Sequence, residues 1–150
     1  MPEPGSATSL SQPTRGVPTT VPGMATATLG PSGYTTTVQT GRHRFVADEP
    51  ASSGGADAGP TPVGLLLGAL ASCTAITLRM YAERKDWPLT GIRVLTGYSA
   101  GEGESGHIAR EIQLDGDLDD EQRSRLAEVA ERTPVTRIVC EGRQITTTLR

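Results

Sequence analysis

The sequence predicts an α+β domain with antiparallel sheet, and three observations carry that reading. Short β-branched runs separated by turn residues occupy residues 25–48, one long apolar segment fills residues 61–88, and two more alternating runs precede a shorter amphipathic segment at residues 119–133. Strands, a long helix, strands and a short helix in that order suit antiparallel sheet packed on helices rather than a parallel α/β sheet.

The first runs are Ala25–Gly30, Gly33–Thr40 and Arg42–Asp48. Gly30-Pro31-Ser32-Gly33 and Thr40-Gly41 separate them, so they read as a three-stranded meander. In the third run His43, Phe45 and Ala47 share one face, and His43 is expected to be a half-buried packing residue. Glu49 to Pro62 is a Gly/Pro/Ser loop that leads into the long segment. It contains no GxGxxG and no lysine after its glycines, which excludes a Rossmann or P-loop phosphate site.

The long segment reads as a helix from Thr61 to about Lys85. Thr61 is a suitable N-cap, Pro62 is harmless at the first helical position, and Pro88 cannot continue the ladder. Roughly 24 residues make about 36 Å of helix. Apolar or small residues fall on almost every side of it, so the helix is expected to be buried all round. A membrane span is rejected because Ser72, Thr74, Thr77 and Arg79 interrupt the second half and no aromatic belt flanks it. Cys73 lies at its middle, where a small buried hydrophobe is the plain reading of a free cysteine.

Gly91–Tyr98 and His107–Leu114 read as strands, with Ile108, Arg110, Ile112 and Leu114 on one face. Asp119 followed by Gln122 resembles a capping box, and Leu126, Val129 and Ala130 form the stripe of the shorter helix. Pro134 ends it, and Arg143–Leu149, with Ile145, Thr147 and Leu149 alternating, is expected to close the fold as a strand.

Residues 1–23 are rich in Pro, Ser, Thr and Gly and read as a disordered tail, leaving residues 24–150 as one domain. A chain of 150 residues with 35% hydrophobic and 3% aromatic content has few side chains with which to wrap a long apolar helix. A homodimer in which two such helices pack between two sheets would supply the cover. The net charge of −3 and the absence of a Lys/Arg stripe argue against nucleic acid as a partner. Two cysteines without CxxC spacing and two distant histidines argue against a metal site or a disulfide scaffold. No apolar leader is seen at the start, so a cytoplasmic location is expected, with no membrane and no cofactor.

Taken together, His43, Ala47-Asp48-Glu49-Pro50, Gly54–Pro62 and Leu65–Thr74 resemble the OsmC/Ohr superfamily, the osmotically induced and organic hydroperoxide resistance proteins. The resemblance continues through Thr77–Ala82 and from Leu118 to Arg137, nearly everything after the tail. It implies an intertwined homodimer with active sites at the interface and a thiol peroxidase chemistry. In that chemistry a helix cysteine becomes a sulfenic acid, a second cysteine resolves it, and an external dithiol reductant resets the pair. Cys73 stands at the peroxidatic position. Small hydroperoxides with apolar chains are the implied substrates, since the helix wall is rich in Leu and Ala.

Two departures bear on that expectation. The family's Cys-Pro-Val-His-Arg segment reads Thr133-Pro134-Val135-Thr136-Arg137 here, so a hydroxyl replaces the resolving thiol, and Cys140 is the candidate for a displaced one. The acids that the family carries just after the helix-start proline are Val63 and Gly64. Of the arginines that could stabilise a thiolate, Arg42, Arg44 and Arg137 are candidates and Arg137 aligns best. The alternative implied by these losses is a non-catalytic ligand-binding or stress-response member.

Overall fold

A computed structural model describes residues 23–103 and 105–150. The tail expectation therefore lies, apart from Gly23, outside the described residues. The elements run β1 (Ala25–Leu29), β2 (Thr36–Thr40), β3 (His43–Ala47), a 3₁₀ turn (Ala51–Ser53), α1 (Pro62–Arg84), β4 (Leu89–Ser99), β5 (His107–Gly116), α2 (Asp120–Ala130) and α3 (Pro134–Glu141). The fold is α+β with antiparallel sheet, as its sequence pattern predicts.

The meander β1–β2–β3 pairs Leu29 with Thr36 and Thr40 with His43. The second pairing leaves a two-residue loop whose first residue, Gly41, has φ of 54°, a left-handed conformation that glycine adopts without penalty. β4 and β5 form a separate two-stranded ribbon with Val94 opposite Ile112.

α1 is the long helix, and both ends are set by local chemistry. Thr61 Oγ1 accepts from the Gly64 amide at 3.0 Å, and Pro62 opens the first turn. At the other end the Trp87 amide donates to Ala82 O at 2.9 Å and the Asp86 amide to Glu83 O at 3.1 Å. This is a Schellman closure with Asp86, at φ of 53°, in the left-handed position usually taken by glycine. Asp119 and Gln122 form the full capping box that opens α2.

The core lies where α1 meets the β4–β5 ribbon and α2. Leu78, Ala82, Leu89, Leu118, Leu126 and Ala130 are buried together, with Tyr81, Trp87, Ile112 and Leu114 packed around them. Tyr81 and Trp87 meet edge to face at 5.6 Å. Arg79 donates to Leu89 O and so ties the helix to the start of β4.

Two expectations are corrected, and the cover of α1 within one protomer is partial. Leu70, Thr74, Leu78 and Ala82, one residue per turn, are buried, while Val63, Leu66, Ile76 and Met80 are exposed. One ribbon and two short helices can cover only one side of so long a cylinder. Arg143–Leu149 is not a strand, because alternation of side chains makes no ladder without a neighbouring edge; Ile145 and Leu149 are 87% and 96% exposed. His43 is exposed rather than half-buried, since none of the described residues covers the meander at its position.

α1 also has the length and hydropathy of a membrane span, with a mean hydropathy of 1.7 over 18 residues. Its buried stripe instead packs on β4, α2 and α3, as the central helix of an α+β domain.

Candidate functional site

Asp48 organises the approach to α1. It is 2% exposed, and its carboxylate accepts from the amides of Glu49 at 2.8 Å, Ala56 at 3.2 Å and Ala58 at 3.2 Å, and from the Thr35 hydroxyl at 3.0 Å. Burial pushes its pKa up, but the four donors outweigh burial and hold the carboxyl below the usual aspartate value. The Glu49–Pro60 loop is thus wrapped on one buried anion. It can close so tightly only because residues 55 and 59 are glycine: a Cβ at Gly55 would overlap the Glu49 carbonyl, and one at Gly59 the Val46 carbonyl.

From that loop α1 carries Cys73 into the body of the domain as a half-buried free thiol. Its neighbour Thr74 is fully buried and donates to Leu70 O at 2.7 Å, the back-bond of a hydroxyl inside a helix. Thr74 Oγ1 also accepts from Arg110 Nη1 of β5 at 3.1 Å. The same Nη1 donates to Thr136 Oγ1 of α3 at 2.9 Å, and Nη2 to Glu131 Oε1 at 3.0 Å. Thr136 Oγ1 lies 2.7 Å from Thr133 Oγ1, which is fully buried and caps α3.

The guanidinium of Arg110 therefore joins α1, beside Cys73, to the start of α3. Thr133 sits inside this cluster of hydroxyls, with no thiol among its partners. Cys140 is exposed, one helical turn beyond Thr136 on α3, and lines a cavity that Arg110 and Thr136 also line. Both thiols are free.

The arginines singled out by motif lie elsewhere. Arg137 points to solvent and pairs with Glu141 at 3.2 Å, and Arg143 with Arg137 holds that glutamate's pKa down. Arg44 donates to Gln39 across the meander, and Arg42 is exposed in the β2–β3 loop. Arg110 is the residue that motif reading missed. Its signal was an arginine on the apolar face shared by Ile108, Ile112 and Leu114, a placement that requires partners for the charge. Among the described residues no group of His, Cys, Asp and Glu is placed to hold a metal ion.

The sequence matches the OsmC-like protein family over residues 54–149. The chain belongs to that family. The match spans α1 through the C-terminal segment, and so includes Cys73, Arg110, Thr133, Thr136, Arg137 and Cys140. Solved structures of similar fold include an OsmC-like protein of Mycoplasma pneumoniae, 18% identical with a TM-score of 0.67 over 78% of this chain and 86% of that one. The organic hydroperoxide resistance protein OsmC of Legionella pneumophila is 18% identical, with a TM-score of 0.61 over 80% of this chain and 90% of that one. The organic hydroperoxide resistance protein OhrB of Bacillus subtilis is 21% identical, with a TM-score of 0.55 over 78% and 89%. No curated protein matches the sequence. In this OsmC-like chain Cys73 is a half-buried free thiol, and Thr133 is a buried threonine bonded to Thr136.

Proposed function

We propose that this OsmC-like protein is a stress-related thiol peroxidase of one-cysteine type, acting through Cys73. The observation that supports this reading is the pairing of a retained half-buried thiol at Cys73 with a second position, Thr133, that is sealed in a hydroxyl pair and cannot form a disulfide. The Cys73 thiolate would attack the distal oxygen of an organic hydroperoxide: an S–O bond forms, the O–O bond breaks, and the alkoxide leaves as alcohol after taking a proton. An external thiol then displaces water from the sulfenic acid to give a mixed disulfide, and a second thiol of the same reductant releases Cys73. No cofactor enters this cycle.

The functional unit would be a cytoplasmic homodimer. Val63, Leu66, Ile76 and Met80 expose 47–59% of their surfaces along α1, a stripe that a second copy would cover. Ile76→Glu should convert the dimer to monomer in sedimentation velocity; a wild-type chain that is itself monomeric at micromolar concentration would overturn the assembly.

Activity is tested by following cumene hydroperoxide loss after mixing with reduced protein, with dithiothreitol present or absent. Rapid loss that Cys73→Ser abolishes and Cys140→Ser leaves intact is expected. Dependence on Cys140 would instead make that residue the displaced resolving thiol. A second reading, a non-catalytic ligand-binding member, is favoured by Val63 and Gly64 standing where the family carries acids. Consumption no faster than the Cys73→Ser background would decide for it.

A further inference from the structure

Arg110 does more than join three elements. Its side chain is 11% exposed, yet the one carboxylate paired with it among the described residues belongs to Glu131, whose side chain is 72% exposed. Nη1 is saturated by Thr74 and Thr136, while Glu131 takes a single contact from Nη2. Of the five donors of a guanidinium, the N–H on Nε and one on Nη2 have no protein acceptor among the described residues. A nearly buried cation thus keeps two donors uncommitted on the edge that best grips a carboxylate in two-point fashion.

Arg110 lines a cavity of about 400 Å³ between β5 and α3. The volume falls within the range of small-molecule sites, about 300–1,000 Å³. Leu70, Ile108 and Val139 give it an apolar wall, and Arg110, Thr136 and Cys140 stand among its polar lining. A chamber with an apolar wall, a fixed cation at Arg110 and the displaceable Glu131 beside it is complementary to an amphiphile with an anionic head. Two facts favour a monoanion over a phosphate: Glu131 already shows that a carboxylate fits against Nη2, and its own charge, with the chain's net −3, opposes a dianion.

We propose that this cavity binds a small amphiphilic carboxylate, with its head on the Arg110 guanidinium in place of Glu131 and its chain against Leu70, Ile108 and Val139. Glu131 is a displaceable occupant. An exposed ion pair contributes little net stability, because a flexible side chain must be held still in high dielectric. The ligand makes the same ion pair and also buries apolar surface, which Glu131 does not do. The site holds whether or not Cys73 turns over hydroperoxide, so its failure and that of the peroxidase reading are separable.

The test is calorimetric titration of the full chain with sodium octanoate, with 1-octanol as the uncharged probe. Octanoate should bind and octanol should not. Glu131→Gln, a change at an exposed position, removes the competitor and should tighten octanoate binding about three- to five-fold, the worth of an exposed ion pair. Arg110→Gln, checked for folding by circular dichroism, should abolish binding, and amide shifts at Ile108 and Val139 should report occupancy. Absence of octanoate binding, equal binding of octanol, or an affinity unchanged by Glu131→Gln would overturn the proposal.

Discussion

Thr136→Val probes the cluster that stands where a second thiol is expected. Thr136 is 5% exposed, accepts from Arg110 at 2.9 Å, shares a hydrogen with Thr133 at 2.7 Å and donates to Ala130 O at 3.3 Å. Valine keeps the shape and removes the hydroxyl. Three net contributions of about 1 kcal/mol each are lost, and the methyl that replaces the hydroxyl returns about 0.8 kcal/mol of burial. The expected loss is therefore about 2 kcal/mol. Urea unfolding at fixed chain concentration measures it, since assembly would make stability concentration-dependent. Because Arg110 and Thr136 share a bond, Arg110→Met should cost less in the Thr136→Val background than alone, with a coupling of about 1 kcal/mol. A single-mutant loss below about 0.5 kcal/mol, together with additive double-mutant behaviour, would refute the claim that the hydroxyls and guanidinium act as one unit.

Other consequences follow from the same geometry. Asp48 has a folded pKa below its unfolded one, so the unfolded chain takes up the proton first as pH falls. Its stabilisation is complete above the usual aspartate range and is lost as pH drops through the folded value. Melting temperatures from neutral to about pH 2.5 should fall more gently in Asp48→Asn, which starts from lower stability at neutral pH. Leu78 and Leu126 are fully buried at the centre of the core, and either changed to Ala should cost about 3–5 kcal/mol in denaturant unfolding. Gly55→Ala and Gly59→Ala set a Cβ against a carbonyl in the loop held by Asp48, so each should lower the melting temperature, whereas Gly68→Ala, with open space at its Cβ, should not.

Local chemistry made much of the fold readable. Thr61-Pro62 and Pro88 bound the long helix in any context, because an N-cap hydroxyl and a missing amide act within one turn. The Asp119/Gln122 capping box and the glycine turns of the meander are local in the same sense. The family resemblance likewise rests on contiguous runs around Cys73, and it reached Thr133 because that substitution lies within a run. Three-dimensional packing decided the rest. Residues 143–149 alternate as a strand should, yet pairing needs an edge from elsewhere in the fold, which side-chain alternation cannot supply. The helix pattern asked for cover on every side, and the protomer covers only the Leu70–Thr74–Leu78–Ala82 stripe, since cover depends on how many elements reach the helix. Arg137 aligned with the motif but turned to Glu141 on the surface. Arg110, 36 residues from Thr74 and 26 from Thr136, became the cation of the cluster because its side chain reaches from β5 to the place where α1 and α3 pack together. Hydrogen bonds over such separations carry no mark in the sequence beyond a lone arginine on an apolar strand face, and only the packing of three elements shows what that charge is for.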